Sequence, residues 1–153
     1  MTDQQPVFSI EKIYVKDASI ETPNAPQVFL EPAQPQLEVQ LATGASRAAD
    51  GLYEAVLTVT VTAKAGDKTC FLVEGAQAGI FQIRNIPESD LEPILGIACA
   101  NILFPYARET VADLVARAGF PPIHLAPVNF EAMYAARKEA AAGEAGPRIE
   151  VAH

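Results

Sequence analysis

The clearest pattern of hydrophobic and polar positions lies between Tyr53 and Thr62. Every second residue from Tyr53 to Val61 is apolar, and the positions between them are mostly polar. Strict alternation of this kind predicts a β-strand with one face on a core and the other in water. Residues 65–67, Ala-Gly-Asp, then predict a tight turn.

Three more segments have strand patterns. Residues 8–21 and 69–83 are long, whereas the alternation in residues 36–41 predicts a shorter strand followed by a turn around residues 44–51. Short connections between such segments are typical of antiparallel pairing. The sequence therefore predicts four strands in one antiparallel sheet.

The first strand is predicted to be irregular. Its apolar parity changes between Ile10 and Ile13, which predicts a bulge near Glu11 or Lys12. Beyond the bulge, alternation places one set of side chains on a common face: Tyr14, Ala18 and Ile20. It places a polar row on the opposite face: Asp17, Ser19 and Glu21.

A helix is predicted from Pro105 to Gly119. Proline suits the first helical position because its missing N–H would have no partner there, and glycine can end a helix in the left-handed conformation. One apolar stripe runs along this helix: Ala107, Val111, Leu114, Val115 and Ala118. Because the stripe is shallow, it fits a core and a subunit interface equally well.

A second helix is predicted after the proline-containing segment 120–127. Asn129 is the expected N-cap, and its neighbours Val128 and Met133 have the spacing of a hydrophobic staple. Phe130, Met133 and Tyr134 share the inner face. From Gly143 to His153 no periodicity remains, so we predict one domain over residues 1–142 and a flexible tail over residues 143–153.

Together these elements predict an α+β fold, a four-stranded antiparallel sheet with two main helices packed on one face. Half of the 153 residues are hydrophobic. A single sheet with two helices would leave apolar surface uncovered, and a symmetric oligomer is the usual way to cover it.

Charge and composition limit the function classes. The formal net charge is −8, which disfavours unaided binding to nucleic acid or to an anionic membrane. The N-terminal segment lacks a basic start and an apolar run, and no stretch has the roughly 18 apolar residues that a membrane span needs. We therefore expect a cytosolic protein in which Cys70 and Cys99 are buried, reduced thiols.

No catalytic or cofactor motif emerges. His124 lies in an apolar loop without a triad partner, and the segment GAQAG at residues 75–79 lacks the Lys and Ser/Thr of a phosphate loop. Asp17 and Glu21 are expected on a solvated face, as surface acids or as a docking patch. We expect no enzyme activity, no cofactor and no metal site.

Five blocks of the chain resemble the SecB family of bacterial protein-export chaperones. They occur in the family's order and spacing: IYVKDASIETPNAPQVF at 13–29, YEAVLTVTVTA at 53–63, GIFQI at 79–83, NILFPYARE at 101–109 and LAPVNFEAMY at 125–134. Ala100 and the AQAG segment depart from the family pattern, and the tail has no close match. The resemblance implies a holdase that binds unfolded precursor proteins without ATP and passes them to SecA, the motor of the Sec translocase.

The resemblance also implies a homotetramer, built as a dimer of dimers. Combined with the shallow helical stripe, it predicts five interface residues: Phe71, Val73, Val111, Leu114 and Val115. In the family, the zinc-bearing basic tail of SecA docks on an acidic sheet face, so the zinc belongs to the partner. The matching positions here are Asp17, Glu21, Leu72 and Glu74.

Client grooves in the family lie between the crossing loop after the first strand and the last helix. The matching candidates here are Phe29, Leu30, Phe120, Leu125, Phe130, Met133 and Tyr134. Some of them are expected to belong to the core instead. A second hypothesis, a small-molecule enzyme or binding protein using His124 and a carboxylate, stays open at this point.

Overall fold

The computed structural model describes residues 4–32 and 34–143. The predicted tail from Gly143 onward therefore lies outside the described residues, apart from its first position. The strands are β1 (Val7–Glu21), β2 (Gln36–Ala49), β3 (Leu52–Ala65) and β4 (Lys68–Arg84). They form one sheet in the order β1-β4-β3-β2, and every neighbouring pair is antiparallel. The predicted four-stranded antiparallel sheet is confirmed.

The helical layer begins after β4. It comprises α1 (Glu88–Pro93), a π-helical segment (Ile94–Ala98), α2 (Cys99–Arg117) and, after an extended loop, α3 (Phe130–Gly143). A short 3-10 turn (Gln27–Leu30) lies in the segment that crosses from β1 to β2. Helix α2 packs mainly on β4 and β3.

One face of the sheet packs against this layer, and we call the other the open face. Odd-numbered residues of β3 and, from Phe71 onward, of β4 point to the helices, whereas the even-numbered residues point to the open face. The largest fully buried side chains are Phe71, Phe81, Phe130, Leu57, Leu103, Val59, Val61, Val73, Val111, Val115 and Cys99. Burial of each such Phe, Leu or Val stabilises the fold by about 1.5–3 kcal/mol.

The predicted start of α2 is wrong. The helix begins at Cys99, and Pro105 lies in its interior. Asn101, whose carbonyl would accept from residue 105, is exposed together with Pro105, so water can reach the unpaired group. Burial of Leu103 and Phe104 holds this first part of the helix on the core.

Two helix ends are correctly predicted from neighbouring residues: the end of α2 at Gly119 and the start of α3 at Asn129. Gly119 has φ +97°, and its N–H bonds the carbonyl of Ala116 while the N–H of Phe120 bonds that of Val115. This is a Schellman motif. At α3, Asn129 Oδ1 accepts from the N–H of Ala132 at 2.9 Å, as an N-cap should.

The predicted turn at residues 44–51 is shorter than expected. β2 continues to Ala49, and the reversal occurs at Asp50 and Gly51, where φ is +71°. Small residues such as Gly44 have weak strand preference, but pairing with β3 supplies the backbone hydrogen bonds. Tertiary pairing therefore overrides the local turn signal.

Candidate functional site

The four predicted docking residues share the open face. Glu21 pairs with Leu72 across β1 and β4, while Glu74 pairs with Ser19 and Asp17 with Ala76. All four candidates are exposed, Leu72 by 37%. The structure thus brings together an acidic patch with one apolar side chain among its members.

Two bulges in β1 decide which residues reach the open face. The register shifts between Ile10 and Lys12, as predicted, and again between Val15 and Asp17. The second shift was not predicted, and it leaves Tyr14 on the open face and Ile20 on the helix side. The expectation that these two side chains share a face is therefore wrong, because each bulge reverses the alternation.

The negative charge of the acidic patch is not neutralised by nearby cations. Within residues 4–32 and 34–143, Asp17, Glu21 and Glu74 have no cationic group within 4.0 Å. Glu74 instead accepts a hydrogen bond from the hydroxyl of Thr60 at 2.9 Å. A neutral donor orients this carboxylate without cancelling its charge.

A second polar cluster lies farther along the open face. Glu54 accepts hydrogen bonds from Lys16 Nζ, at 2.8 Å and 3.0 Å, and from the hydroxyl of Tyr14. The hydrogen bond from Lys16 and then that from Tyr14 lower the pKa of Glu54. The Glu54 carboxylate in turn raises the pKa of Tyr14 to about 12, with burial as a further cause. The cluster holds one carboxylate ionised and paired.

On the helix side, aromatic rings connect the crossing segment to the core. The rings of Phe29 and Phe120 pack at a tilt of 35° with their centroids 4.9 Å apart, and the centroids of Phe120 and Phe71 are 5.0 Å apart. Phe71 is buried, Phe120 half-buried and Phe29 47% exposed, while Leu30 beside it is 78% exposed. These aromatic and aliphatic side chains offer apolar surface next to the end of α2.

The remaining groove candidates do not all join this cluster. Tyr134 lines a separate open pocket of about 610 Å³ between β2, α1 and α3. Its ring covers Gly96, and Arg137 on the same helix donates to the hydroxyl of Thr43 at 2.8 Å. The pocket is lined by Thr43, Gly44, Ala45, Glu88, Leu91, Glu92, Leu95, Gly96, Tyr134, Arg137, Lys138 and Ala141.

Phe130 is a core residue, not part of an open groove. It is 1% exposed and meets Phe104 edge-on, with centroids 5.7 Å apart. Leu125 and Met133 are half-buried against the core. The Leu125 carbonyl accepts from Arg108 Nε at 3.0 Å, which fixes the loop before α3 to α2.

Four of the five predicted interface residues are buried within the chain itself. Phe71, Val73, Val111 and Val115 are buried in the chain's own core, whereas Leu114 is half-buried. The alternation and the stripe correctly identified these side chains as apolar and mostly buried, but not what buries them. Their part in a subunit interface stays a prediction.

Sequence reasoning missed an apolar strip on the edge strand β1. Phe8, Ile10 and Val15 are 40–49% exposed. They pair with Ile83, Phe81 and Gln77, so all three side chains point to the helix side of the sheet. Their signal in the sequence was the same parity change that revealed the first bulge.

Other candidate chemistry is weak in the described part of the chain. His124 is exposed, and no group of three or more His, Cys, Asp or Glu side chains in residues 4–32 and 34–143 could hold a metal ion. Both cysteines are free and buried, and burial raises the pKa of the Cys99 thiol to about 12. No helix in these ranges is long and apolar enough to cross a membrane.

Within the described residues, an acidic patch without cationic partners thus lies on the open face, and exposed aromatic side chains lie on the helix side. Comparison with known families adds the class of protein. The family model described as preprotein translocase subunit SecB matches residues 1–141. The chain belongs to the SecB family, and its role is that of a chaperone in protein export.

Individual relatives cover almost the whole chain. It is 67% identical over 142 residues to the protein-export protein SecB of Chromobacterium violaceum, covering 93% of this chain and 94% of that one. Identity to the protein of the same name from Dechloromonas aromatica is 64% over 141 residues, covering 92% and 93%.

A solved structure is similar in fold. It is a SecB-like chaperone of Mycobacterium tuberculosis, in complex with a ChAD peptide from an antitoxin. The TM-score is 0.62 at 20% identity, with 79% of this chain and 90% of that chain covered. At this identity the likeness supports the α+β fold alone.

Proposed function

We propose that this chain is an ATP-independent holdase that binds unfolded precursor proteins in the cytosol, keeps them competent for translocation and delivers them to SecA. The observation that carries the proposal is the separation of two surfaces. Exposed apolar side chains lie on the helix side of the sheet, and the uncompensated acids lie on the open face. A client and a basic partner can therefore be bound at the same time, which a transfer between them requires.

Client binding is assigned to the cluster of Phe29, Leu30 and Phe120, with Tyr134 and its pocket as a second contact. Aromatic side chains bury large areas at a low cost in conformational entropy, and they accept many apolar sequences. Each contact is weak alone, so several sites on one assembly would add avidity. The SecB-like neighbour with a bound peptide is consistent with this role.

Docking to SecA is assigned to Asp17, Glu21, Leu72 and Glu74. A flat, negatively charged sheet face suits a basic, zinc-bearing tail, because complementary charge speeds encounter and fixes orientation. Leu72 supplies an apolar contact within the patch. The zinc belongs to the partner.

Assembly as a homotetramer, a dimer of dimers, is assigned to surfaces that stay free in the single chain. β1 is an edge strand with an exposed apolar strip, and a second copy could pair with its backbone and cover Ile10 and Val15. Leu114 is the member of the predicted interface set that remains partly available.

The test is retention of an unfolded precursor without ATP. The protein is mixed with a denatured precursor while the denaturant is diluted. Aggregation of the precursor, its transfer to SecA and native mass spectra of the mixture are recorded with and without ATP. We expect suppressed aggregation, a tetramer–client complex and no effect of ATP. Equal affinity for the native precursor, or turnover of a small molecule in place of holding, would contradict the proposal.

A further inference from the structure

Gln77 is the buried polar residue at the second bulge of β1. Its side chain is 4% exposed and points to the helix side, and it pairs with Val15, directly before the extra residue Lys16. Gln77 Nε2 donates to the backbone carbonyl of Tyr14 at 3.2 Å. A bulge disrupts the ladder of backbone hydrogen bonds, and here a side chain supplies a bond to the strand at that point.

Thr110 of α2 completes this contact. Its hydroxyl donates to Gln77 Oε1 at 2.9 Å, which leaves the amide nitrogen of Gln77 directed at β1. Helix α2 passes over Gly75 at this point, where an added Cβ would lie in ordinary van der Waals contact, 3.5 Å from the Thr110 methyl group. Two hydrogen bonds therefore connect α2, β4 and β1 at the bulge.

The bulge decides which face the docking acids occupy. Tyr14 points to the open face. Without the extra residue, strict alternation would put Ala18 and Ile20 on the face of Tyr14 and turn Asp17 and Glu21 toward the helices. The acidic patch exists on the open face only because the strand is shifted by one residue at Lys16.

We propose that Gln77 and Thr110 are positioning residues for the docking face. They act through the β1 bulge, which holds Asp17 and Glu21 outward, and they do not touch the partner themselves. This inference rests on the proposed docking of a basic, zinc-bearing tail on the acidic patch. It extends the docking function to a buried contact on the opposite side of the sheet.

The test compares Thr110→Val with Thr110→Ser in the full chain. Val keeps the shape and removes the hydroxyl, whereas Ser keeps the hydroxyl. The probe is a zinc-loaded synthetic peptide with the sequence of the SecA tail. We expect Thr110→Val to bind it roughly three- to ten-fold more weakly, the effect of one hydrogen bond, and Thr110→Ser to bind it like the wild type.

Three readouts separate positioning from general damage. Amide hydrogen exchange should rise at residues 14–17, while client affinity and the slope of docking affinity against salt stay unchanged, because no charge is removed. Thr43→Val is the matched control for docking and hydrogen exchange, since it removes a hydroxyl that bonds Arg137 away from the bulge. Gln77→Leu should reproduce the effect of Thr110→Val.

The outcomes are distinguishable. Wild-type docking by Thr110→Val and Gln77→Leu would overturn the inference, provided that reversal of the acids to Lys abolishes docking. Equal weakening by Thr110→Ser would overturn it as well, because the hydroxyl would not be the cause. If the charge-reversed chain still docks, the docking assignment itself is overturned.

Discussion

Glu21 on β1 lies directly opposite Leu72 on β4, and both side chains point to the open face of the sheet. A carboxylate and an exposed apolar group thus stand side by side, with Glu74 two residues farther along β4. A partner that binds here must bring positive charge and an apolar contact together. That requirement is more specific than attraction to a negatively charged chain.

The first prediction concerns the acidic patch. We expect single changes of Asp17, Glu21 or Glu74 to Lys to weaken docking mildly, because exposed charge pairs contribute about 0–1 kcal/mol each. The triple change should abolish docking of the zinc-bearing peptide, measured by calorimetry at several salt concentrations. The matched control reverses three exposed acids on the helix side: Asp90, Glu131 and Glu139. Equal loss in the control would show that total charge, not the patch, is responsible.

The second prediction separates groove from core. Phe29→Ala should weaken binding of an unfolded precursor and change the free energy of unfolding only modestly, because the ring is 47% exposed. Phe130→Ala should destabilise the fold by about 3–5 kcal/mol, the usual cost of removing a buried Phe. Denaturant unfolding and client titration are measured on both variants. Full client affinity in Phe29→Ala would remove the crossing segment from the binding surface.

The third prediction concerns assembly through β1. The double change Ile10→Asp with Val15→Asp should lower the sedimentation mass, because both side chains are exposed in the single chain and charge would oppose their burial between copies. The control is Leu37→Asp, which changes a 46% exposed residue on the opposite edge strand. An unchanged assembly in the double variant would place the interface elsewhere.

Much of the fold was predictable because its signals are local. The alternation of β3, the cap at Asn129 and the left-handed Gly119 each depend on a few neighbouring residues, and all three are found in the structure. The open-face positions of Asp17 and Glu21 were also correct, since alternation after the second bulge is regular.

The errors share a different cause, which is contact between distant parts of the chain. The bulge at Lys16 is held by Gln77, Thr110 and Glu54, none of which is near it in sequence. The second bulge leaves no periodic signal in β1. The stripe of α2 predicts burial, but it does not identify the surface that covers the stripe.

The fourth prediction is a pH dependence of the cluster around Glu54. Its pKa is lowered from 4.5, so its stabilising contribution is present above pH 4.5 and is lost as the pH falls through the folded-state pKa. The pKa of Tyr14 is raised from 10.0 to about 12, so its contribution is present below pH 10.0 and is lost as the pH rises through about 12. Carboxyl NMR titration should show a higher Glu54 pKa in Tyr14→Phe and no change in Tyr106→Phe. An unshifted Glu54 pKa in Tyr14→Phe would exclude the hydrogen bond as a cause.

The last prediction concerns Gly119, which ends α2 and lies next to the Phe29 ring of the crossing segment. At φ +97° any other residue is strained, and an added Cβ would lie 3.2 Å from Cε1 and Cζ of the Phe29 ring. Gly119→Ala should therefore destabilise the fold by about 1–2 kcal/mol and displace Phe29 from Phe120. Gly44→Ala is the control, because nothing lies within 4 Å of its added Cβ and its φ is ordinary. Denaturant unfolding and the aromatic NMR shifts of Phe29 are measured on both variants. If Gly119→Ala kept full stability and unshifted Phe29 signals, the helix end would not control the position of the crossing segment.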